Sequence, residues 1–377
     1  MSRFEKYYIT PAIKTYVDHR EECIPYYDAF YSEEAGGWIL AGASLPIFVA
    51  PMACIIDDNN WKKFDSEGLN VIIPRTVDFE KRLKLANEQL LWIAVGLDEL
   101  EKIYNLSNIE EMYVCLDIAN GHMASAIDLC SKVKEKFGNR ITLMFGNIAN
   151  ADTYLEYAKA GIDYCRVGIG DGQACLTNTL TGISQDFPKI IKDLNYRKQR
   201  VASSGAFYKS VPKIVIDGGM SSIRDIVIAL AMGADYVMCG KIFAQCEEAA
   251  GEIVSKLIET VEQFKRHTTE LRDYPFDEDS EDIDGSAKKI YPVLFDSKQF
   301  VYQRGRMYYG MSTERAQKEM GNKRIKPAEG KEYWIPIEYK LSEWVHQFVA
   351  AIASTMSYCN VTQLKDFIGK VTINKYD

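Results

Sequence analysis

The sequence predicts an α/β protein built on a closed (β/α)8 barrel, also called a TIM barrel, and three observations lead to that prediction. Eight short runs rich in Val and Ile recur along the 377 residues. Stretches with helical spacing of apolar residues separate these runs, which is typical of a parallel sheet with alternating helices. Eight strands are the number that closes such a sheet into a barrel. An open, doubly wound sheet also fits the alternation, but eight units favour closure.

The predicted strands and helices can be placed along the chain. The strand runs cover residues 46–51, 70–75, 90–95, 112–119, 141–148, 164–170, 213–219 and 236–241. Residues 124–138 space their apolar side chains three and four apart and end at Gly138, as a helix C-terminus does. Residues 221–235 begin with a Ser cap and stop at Gly233.

Composition and charge exclude several classes of protein. With 47% hydrophobic and 26% charged residues, the chain can bury a sizeable core. A net charge of -8 without a basic run argues against nucleic-acid binding. No apolar stretch approaches the roughly 20 residues that cross a bilayer, and the N-terminus lacks the apolar region of a signal peptide. Nine cysteines, an odd number, mostly lie in apolar runs and indicate reduced core thiols. We therefore expect a cytoplasmic protein that binds no membrane.

We expect one domain over residues 1–377, with two segments outside the barrel pattern. Residues 268–306 form an insertion whose stretch 273–284 carries seven acidic residues and no base, which predicts a solvated, mobile segment. Residues 308–340, rich in Gly, Lys and Glu, are interpreted as an active-site flap. An amphipathic helix at 342–356 follows it.

The ends of the predicted strands offer the residues for chemistry, because active sites of such barrels lie at the C-terminal ends of the strands. Cys175 ends a loop with three glycines that follows the sixth strand. Backbone N–H groups in such a loop can lower the pKa of a thiol and favour a thiolate nucleophile. The alternative is a glycine-rich turn followed by a buried cysteine. Polar or glycine residues also follow the other strands, namely Asp117, Asn120, Asn147, Gly240 and Lys241.

The seventh strand ends in Asp217, Gly218 and Gly219, and Ser221 and Ser222 then open a helix. A carboxylate suits a ribose diol, and a helix N-terminus suits a phosphate. A tight turn with a capping Asp is the alternative. The four histidines show no metal-ligand spacing, and only His122 lies near the functional end of a strand.

Three linked stretches resemble the IMP dehydrogenase and GMP reductase superfamily in order and spacing. They are GNIANADTYLEYAKAGIDYCRVGIGDGQACLT, VPKIVIDGGMSSIRDIVIALAMGADYVMCGKIFAQCEEAAGE and YYGMSTERAQKEMG, and the resemblance runs from about residue 45 to about residue 368. LDIANGH (116–122) and PAEGKEYWIPI (327–337) are similar to the GMP reductase branch. No Arg-Tyr pair stands in the segment where IMP dehydrogenases hold their water-activating dyad.

The resemblance implies NADPH-dependent reductive deamination of GMP, or of a close purine nucleotide, to IMP and ammonia through a covalent thioimidate on Cys175. Thr177 and Glu329 would handle the proton of the leaving amine. Residues of the substrate site would be Gln173, Asp217, Gly218, Gly219, Gly240, Lys241, Gly310 and Met311. Asp117, Asn120, Gly121 and Asn147 would face the cofactor. The backbone of Gly168, Gly170 and Cys175 could bind K+, and a homotetramer is expected.

Several residues depart from the family's pattern and keep two alternatives open. Gln173 and Lys241 replace small residues, Ala53 stands where an Asp is usual, and Asp171 and Ala174 are unusual in the Cys175 loop. If Lys241 reaches inward it adds a charge for the phosphate, whereas Gln173 and Lys241 could instead fill the phosphate pocket. The alternatives are an NAD-dependent oxidation of IMP and a purine-nucleotide-binding homologue with an altered substrate or no turnover.

Overall fold

The computed structural model describes residues 3–32, 37–39, 41–259, 293–295, 298–322, 324–325 and 327–376. Its strands are β1 (Tyr7–Ile9), β2 (Phe30–Ser32), β3 (Gly37–Ile39), β4 (Ile47–Val49), β5 (Asn70–Ile73), β6 (Trp92–Val95), β7 (Met112–Asp117), β8 (Ile141–Ile148), β9 (Tyr164–Val167), β10 (Lys213–Asp217), β11 (Tyr236–Cys239), β12 (Ile253–Glu259), β13 (Val293–Phe295), β14 (Lys298–Tyr309), β15 (Glu332–Pro336) and β16 (Ile373–Lys375). Its α-helices are α1 (Trp61–Asp65), α2 (Phe79–Gln89), α3 (Leu97–Tyr104), α4 (Ala124–Phe137), α5 (Thr153–Ala160), α6 (Thr177–Thr181), α7 (Phe187–Ser203), α8 (Ile223–Met232), α9 (Lys241–Ala244), α10 (Glu314–Glu319), α11 (Leu341–Tyr358) and α12 (Leu364–Phe367).

Strands β4 to β11 form one closed parallel barrel, in which each strand lies beside the next one in the chain. Pairing of Val237 with Ile47 and of Cys239 with Val49 joins the last strand to the first. Each of the eight strands lies within one of the runs predicted from the sequence. The predicted (β/α)8 barrel is therefore confirmed.

The predicted helix ends are confirmed as well. Helix α4 ends at Gly138, which adopts a positive φ of 59°. Helix α8 begins after Ser222, whose Oγ accepts a hydrogen bond from the backbone N–H of Asp225, and it ends at Gly233 in a left-handed conformation. The predicted amphipathic helix at 342–356 is α11, and its buried residues pack toward the core. None of the helices in the described ranges is long and apolar enough to cross a bilayer.

An aromatic cluster fills the bottom of the barrel. Trp92, Tyr164 and Tyr236 are the first residues of their strands, so their side chains lie near the N-terminal ends. Phe48 packs edge-on against Trp92 and Tyr164, with ring centroids 5.4 and 5.9 Å apart. Nζ of Lys213 lies 5.3 Å from the ring centroid of Tyr164. These side chains pack the lower end of the barrel, and the C-terminal mouth is the end where such barrels bind their ligands.

Short sheets surround the barrel. Strand β14 pairs antiparallel with β12, β13 and β15, and β1 pairs with β16. The described part of the predicted insertion 268–306 lies in β13 and β14, whereas the acidic stretch 273–284 lies outside the described residues. The segment 308–340 contains the end of β14, helix α10 and strand β15. This segment runs across the mouth side, where several of its residues line a cavity.

Replacing Phe48 with Ala should lower the free energy of unfolding by about 3–5 kcal/mol, because it removes a buried aromatic ring from the aromatic cluster and leaves a cavity. Phe48 is 1% exposed, whereas Tyr196, a suitable control, is 60% exposed. Urea denaturation of Phe48→Ala and Tyr196→Ala measures the difference. A loss of less than about 1 kcal/mol in Phe48→Ala would show that the aromatic cluster does not stabilise the barrel.

Candidate active site

A cavity of about 1090 Å³ opens at the C-terminal mouth of the barrel. Loops after β4, β5, β7, β9, β10 and β11 line it, together with Asn147 near the end of β8 and residues of the segment 308–340. Fifteen residues predicted for the site line this cavity: Asp117, Asn147, Gly168, Gly170, Gln173, Cys175, Thr177, Asp217, Gly218, Gly219, Gly240, Lys241, Gly310, Met311 and Glu329. Asn120 and Gly121 are not among its lining residues.

The loop that carries Cys175 depends on its glycines. Gly168 has a φ of 135°, and a Cβ at this position would lie 2.0 Å from the carbonyl oxygen of Asp217. Only glycine fits this approach between the ends of β9 and β10. The backbone N–H of Cys175 donates to the carbonyl of Gly172 at 2.8 Å. Cys175 is half-buried and borders the cavity, whereas Cys115, Cys165 and Cys239 are buried in the core.

Cys175, Thr177 and Glu329 form a hydrogen-bonded line. The thiol of Cys175 donates to Oγ1 of Thr177 at 3.3 Å, and the hydroxyl of Thr177 donates to Oε2 of Glu329 at 2.8 Å. The backbone fixes this arrangement, since N–H of Leu176 donates to the carbonyl of Glu329 at 2.7 Å and N–H of Lys331 donates to the carbonyl of Ala174 at 2.9 Å. A thiol, a hydroxyl and a carboxylate in series can pass a proton between the sulfur and the carboxylate.

A buried guanidinium joins two carboxylates at the base of the cavity. Nη1 of Arg166 lies 2.6 Å from Oδ1 of Asp117, and its Nη2 lies 2.9 Å from Oδ2 of Asp217. The side-chain amide of Asn147 also donates to Oδ2 of Asp217, at 2.7 Å. Burial alone would lower the pKa of Arg166, but Asp217 and Asp117 outweigh it and raise that pKa, so the guanidinium stays charged. Sequence reasoning missed Arg166, although a lone basic residue inside the apolar run YCRVGIG was a usable signal.

The predicted phosphate region lies between the loops after β9, β10 and β11. Gly218 and Gly219 have φ values of 92° and 75°, and a Cβ on Gly218 would lie 3.1 Å from the backbone N of Gly172. The loop after β10 therefore lies close to the loop after β9. Lys241 is the first residue of α9 and lines the cavity. Gln173 lines it as well, and its Oε1 accepts a hydrogen bond from the hydroxyl of Tyr333 at 3.3 Å.

The hydroxyls of Ser221 and Ser222 are engaged within the start of α8. Oγ of Ser221 donates to Oδ2 of Asp225 at 2.7 Å, and Oγ of Ser222 accepts from the N–H of Asp225. Both hydroxyls therefore stabilise the helix end itself.

Asp117 and Asn147 lie in the cavity on the predicted cofactor side, but Asn120 and Gly121 shape the adjoining loop. Oδ1 of Asn120 accepts from the N–H of His122 at 3.0 Å. N–H of Gly121 donates to the carbonyl of Asn147 at 2.9 Å, and a Cβ on Gly121 would lie 2.6 Å from the hydroxyl oxygen of Tyr157. Gly121 thus allows close packing of the loops after β7 and β8.

Arg75 is a further cavity residue that sequence reasoning missed. It follows β5, and its Nη1 lies 3.4 Å from the carbonyl of Asp117. Its Nε is buried and has no hydrogen-bond partner among the described residues. Oε2 of Glu99 lies 3.9 Å from this Nε, so the Arg75 guanidinium is paired with a carboxylate at the side of the cavity.

Within the described residues no group of three or more His, Cys, Asp and Glu side chains could hold a metal ion. The predicted monovalent-cation site involves backbone carbonyls, of which that of Gly168 accepts a hydrogen bond from the Asn147 amide at 2.7 Å.

Comparison with known proteins gives a family match over residues 70–268, to the IMP dehydrogenase / GMP reductase domain. The chain is similar to a GMP reductase of Aliivibrio fischeri (strain MJ11), with 26% identity over 69% of this chain and 60% of the relative. It is 24% identical to a GMP reductase of Ascaris suum, over 74% of this chain and 64% of the relative. An inosine-5'-monophosphate dehydrogenase of Chlorobaculum parvum (strain DSM 263 / NCIMB 8327) is 27% identical over 67% of this chain and 43% of the relative. The chain thus spans less than two thirds of the length of these relatives.

Replacing Arg166 with Met should lower the free energy of unfolding by about 1.5–3 kcal/mol, because it leaves the partly buried Asp117 and Asp217 carboxylates without the buried cation that pairs them. Arg197, whose partner Asp152 is largely exposed, provides the control Arg197→Ala, for which a loss below about 1 kcal/mol is expected. Chemical denaturation at pH 7 measures both. Equal small losses in the two variants would mean that the buried network does not hold the mouth together.

Proposed function

The chain belongs to the IMP dehydrogenase / GMP reductase family, and from that membership we propose that it reduces GMP, or a close purine nucleotide, to IMP and ammonia with NADPH. The line from Cys175 through Thr177 to Glu329 is the observation that carries the proposal. It supplies a nucleophile and a proton relay beside a cavity large enough for a nucleotide and a second ligand.

In the proposed reaction Cys175 is the nucleophile, and Thr177 and Glu329 transfer protons. The Cys175 thiol gives its proton through the Thr177 hydroxyl to the Glu329 carboxylate, and the thiolate forms a bond to C2 of the base. The same pair returns the proton to the exocyclic amine, so the C2–N bond breaks and ammonia leaves a thioimidate on the sulfur. NADPH, when bound, supplies the hydride that replaces the amine at C2. Breaking of the C–S bond then regenerates the thiolate, and the overall reaction converts GMP, NADPH and two protons to IMP, NADP⁺ and ammonium.

The rest of the cavity fits the nucleotide. Asp217 borders the cavity, where it can accept hydrogen bonds from ribose hydroxyls while Arg166 and Asn147 keep it oriented. Gly218 and Gly219 permit backbone approach to a phosphate, and Lys241 can add a positive charge.

Two observations support a place for the cofactor. The cavity continues to Asp117, Asn147 and Arg75, beyond the residues around Cys175. Arg75 lines this part of the cavity, where its guanidinium, paired with Glu99 at 3.9 Å, can also donate to a polar or anionic ligand. Asn120 and Gly121 would contribute by shaping the loop that carries Asp117.

A two-armed assay tests the reaction and its direction. Purified protein with GMP and NADPH should oxidise NADPH and release ammonia and IMP in equal amounts, whereas IMP and NAD should give no reduced cofactor. Cys175→Ser should bind GMP with little change but show no turnover, because a hydroxyl is not ionised at neutral pH. Reduction of NAD with IMP would favour the dehydrogenase alternative. Tight GMP binding without turnover in either arm would favour a binding protein.

Replacing Glu329 with Gln should lower kcat by a factor of about 10² to 10⁴, because the amide cannot take the proton relayed by Thr177. The dissociation constant for GMP should change little, since Glu329 acts on the leaving group. Glu332→Gln is the matched control, because Glu332 is an exposed carboxylate three residues further along the same segment. An unchanged kcat in Glu329→Gln would remove Glu329 from the mechanism.

Replacing Lys241 with Ala should weaken GMP binding by roughly 1.5–3 kcal/mol, the range for a hydrogen bond to a charged group, and should scarcely affect guanosine. Calorimetric titration of both ligands measures the difference, with Lys62→Ala as an exposed lysine control. If the unmodified protein binds guanosine as tightly as GMP, Lys241 and Gln173 fill the phosphate region and the substrate is not a nucleotide.

K+ at the backbone of Gly168, Gly170 and Cys175, the homotetramer and the cytoplasmic location remain predictions from the family resemblance. Activity in K+ against Li+ buffer and light scattering of the purified protein test the first two.

A further inference from the structure

The N-terminal segment, residues 3–9, packs against the loops that form the site. Phe4 is 0% exposed and stacks on Phe187, with ring centroids 6.3 Å apart. The guanidinium of Arg224 at the start of α8 donates to the carbonyls of Phe4 and Tyr7. Pairing of β1 with β16 holds the end of the segment. This segment is therefore anchored along its length.

The first residue of this segment binds the loop that carries Cys175. Arg3 forms an ion pair with Oδ1 of Asp171, whose side chain is 2% exposed. The amide of Gln185 donates to Oδ2 of the same carboxylate, and Oε1 of Gln185 accepts from the backbone N–H of Ile169 at 2.8 Å. Burial raises the pKa of Asp171, and the Arg3 guanidinium offsets this only in part.

The ion pair between Arg3 and Asp171 lies close enough in sequence to Cys175 to affect the position of its sulfur. Asp171 lies between Gly170 and Gly172, so the backbone around it has little stiffness of its own. Cys175 follows four residues later and must keep its sulfur 3.3 Å from Thr177. A displacement of about 1 Å at a reacting group can cost a factor of about 10² in rate.

We propose that Arg3 is a positioning residue: its guanidinium holds the Asp171 carboxylate and thereby fixes the loop that presents Cys175. The inference rests on the proposed function only where turnover is concerned, because the conformation of the loop can be measured without a substrate. The competing view is a surface ion pair of little consequence, since Arg3 itself is 48% exposed.

Alkylation of Cys175 by iodoacetamide tests the proposal directly. Peptide mass spectrometry follows Cys175 and Cys359 separately, since both are half-buried and Cys359 lies far along the chain as an internal reference. Arg3→Ala should raise the alkylation rate of Cys175 several-fold, roughly three- to tenfold, because the loosened loop exposes the thiol. Arg3→Lys should restore most of the original rate. Arg20→Ala, which removes an exposed arginine paired with exposed Glu21, should change neither rate.

Asp171→Asn provides the second variant. It should raise the Cys175 rate by a similar factor, and adding Arg3→Ala to it should produce no further change, because the two side chains act through one contact. An unchanged Cys175 rate in Arg3→Ala overturns the proposal. Additive effects in the double variant, or an equal rise at Cys359, overturn it as well, since they indicate general loosening.

Turnover supplies the second readout. If GMP is the substrate, Arg3→Ala should lower kcat by about tenfold while KM changes by less than about threefold, and Arg3→Lys should recover kcat. An unchanged kcat, or a loss confined to KM, contradicts the positioning role. If the unmodified protein does not turn over GMP, the proposed function fails while the alkylation rates still decide the role of Arg3.

Discussion

Hydrogen bonding between β11 and β4 closes the sheet, and this closure determines where each loop of the site can lie. In a closed parallel barrel all strands end at the same rim, so residues distant in sequence meet there. Asp117, Arg166 and Asp217 come from three different strands and form one network. The aromatic cluster around Phe48 packs the opposite end, and the cavity opens at the rim where the strands end.

The chemistry proposed for this cavity depends on polar and charged side chains that already bind one another within the protein. The buried Arg166 satisfies one oxygen of each carboxylate and leaves Asp217 available to a ligand at the cavity surface. The line of Cys175, Thr177 and Glu329 is fixed by backbone hydrogen bonds between two segments about 150 residues apart in the chain. Such preorganisation means that little rearrangement is needed when a substrate binds.

The sequence predicted the barrel well because each barrel strand lies in an apolar run and because residues such as Ser222 and Gly138 mark the ends of helices. Fifteen of the seventeen residues that it predicted for the site line the cavity, most of them in the loops that follow barrel strands. Arg166 stands out as a basic residue inside an apolar run, but its role and that of Arg75 could not be assigned, because both depend on partners from distant parts of the chain. The same reason hid the Arg3–Asp171 contact, whose members are 168 residues apart. Asn120 and Gly121 belong to the motif but do not line the cavity: Asn120 is exposed and Gly121 is buried against Asn147 and Tyr157.

Covalent capture of the purine by Cys175 is the central claim, and its most direct measurement is the mass of the cysteine-containing peptides after an acid quench of the protein with GMP. The account predicts an added nucleotide mass, less ammonia, on the Cys175 peptide and on none of the peptides carrying the other eight cysteines. Turnover of GMP without such an adduct, or an adduct on a different cysteine, would contradict it.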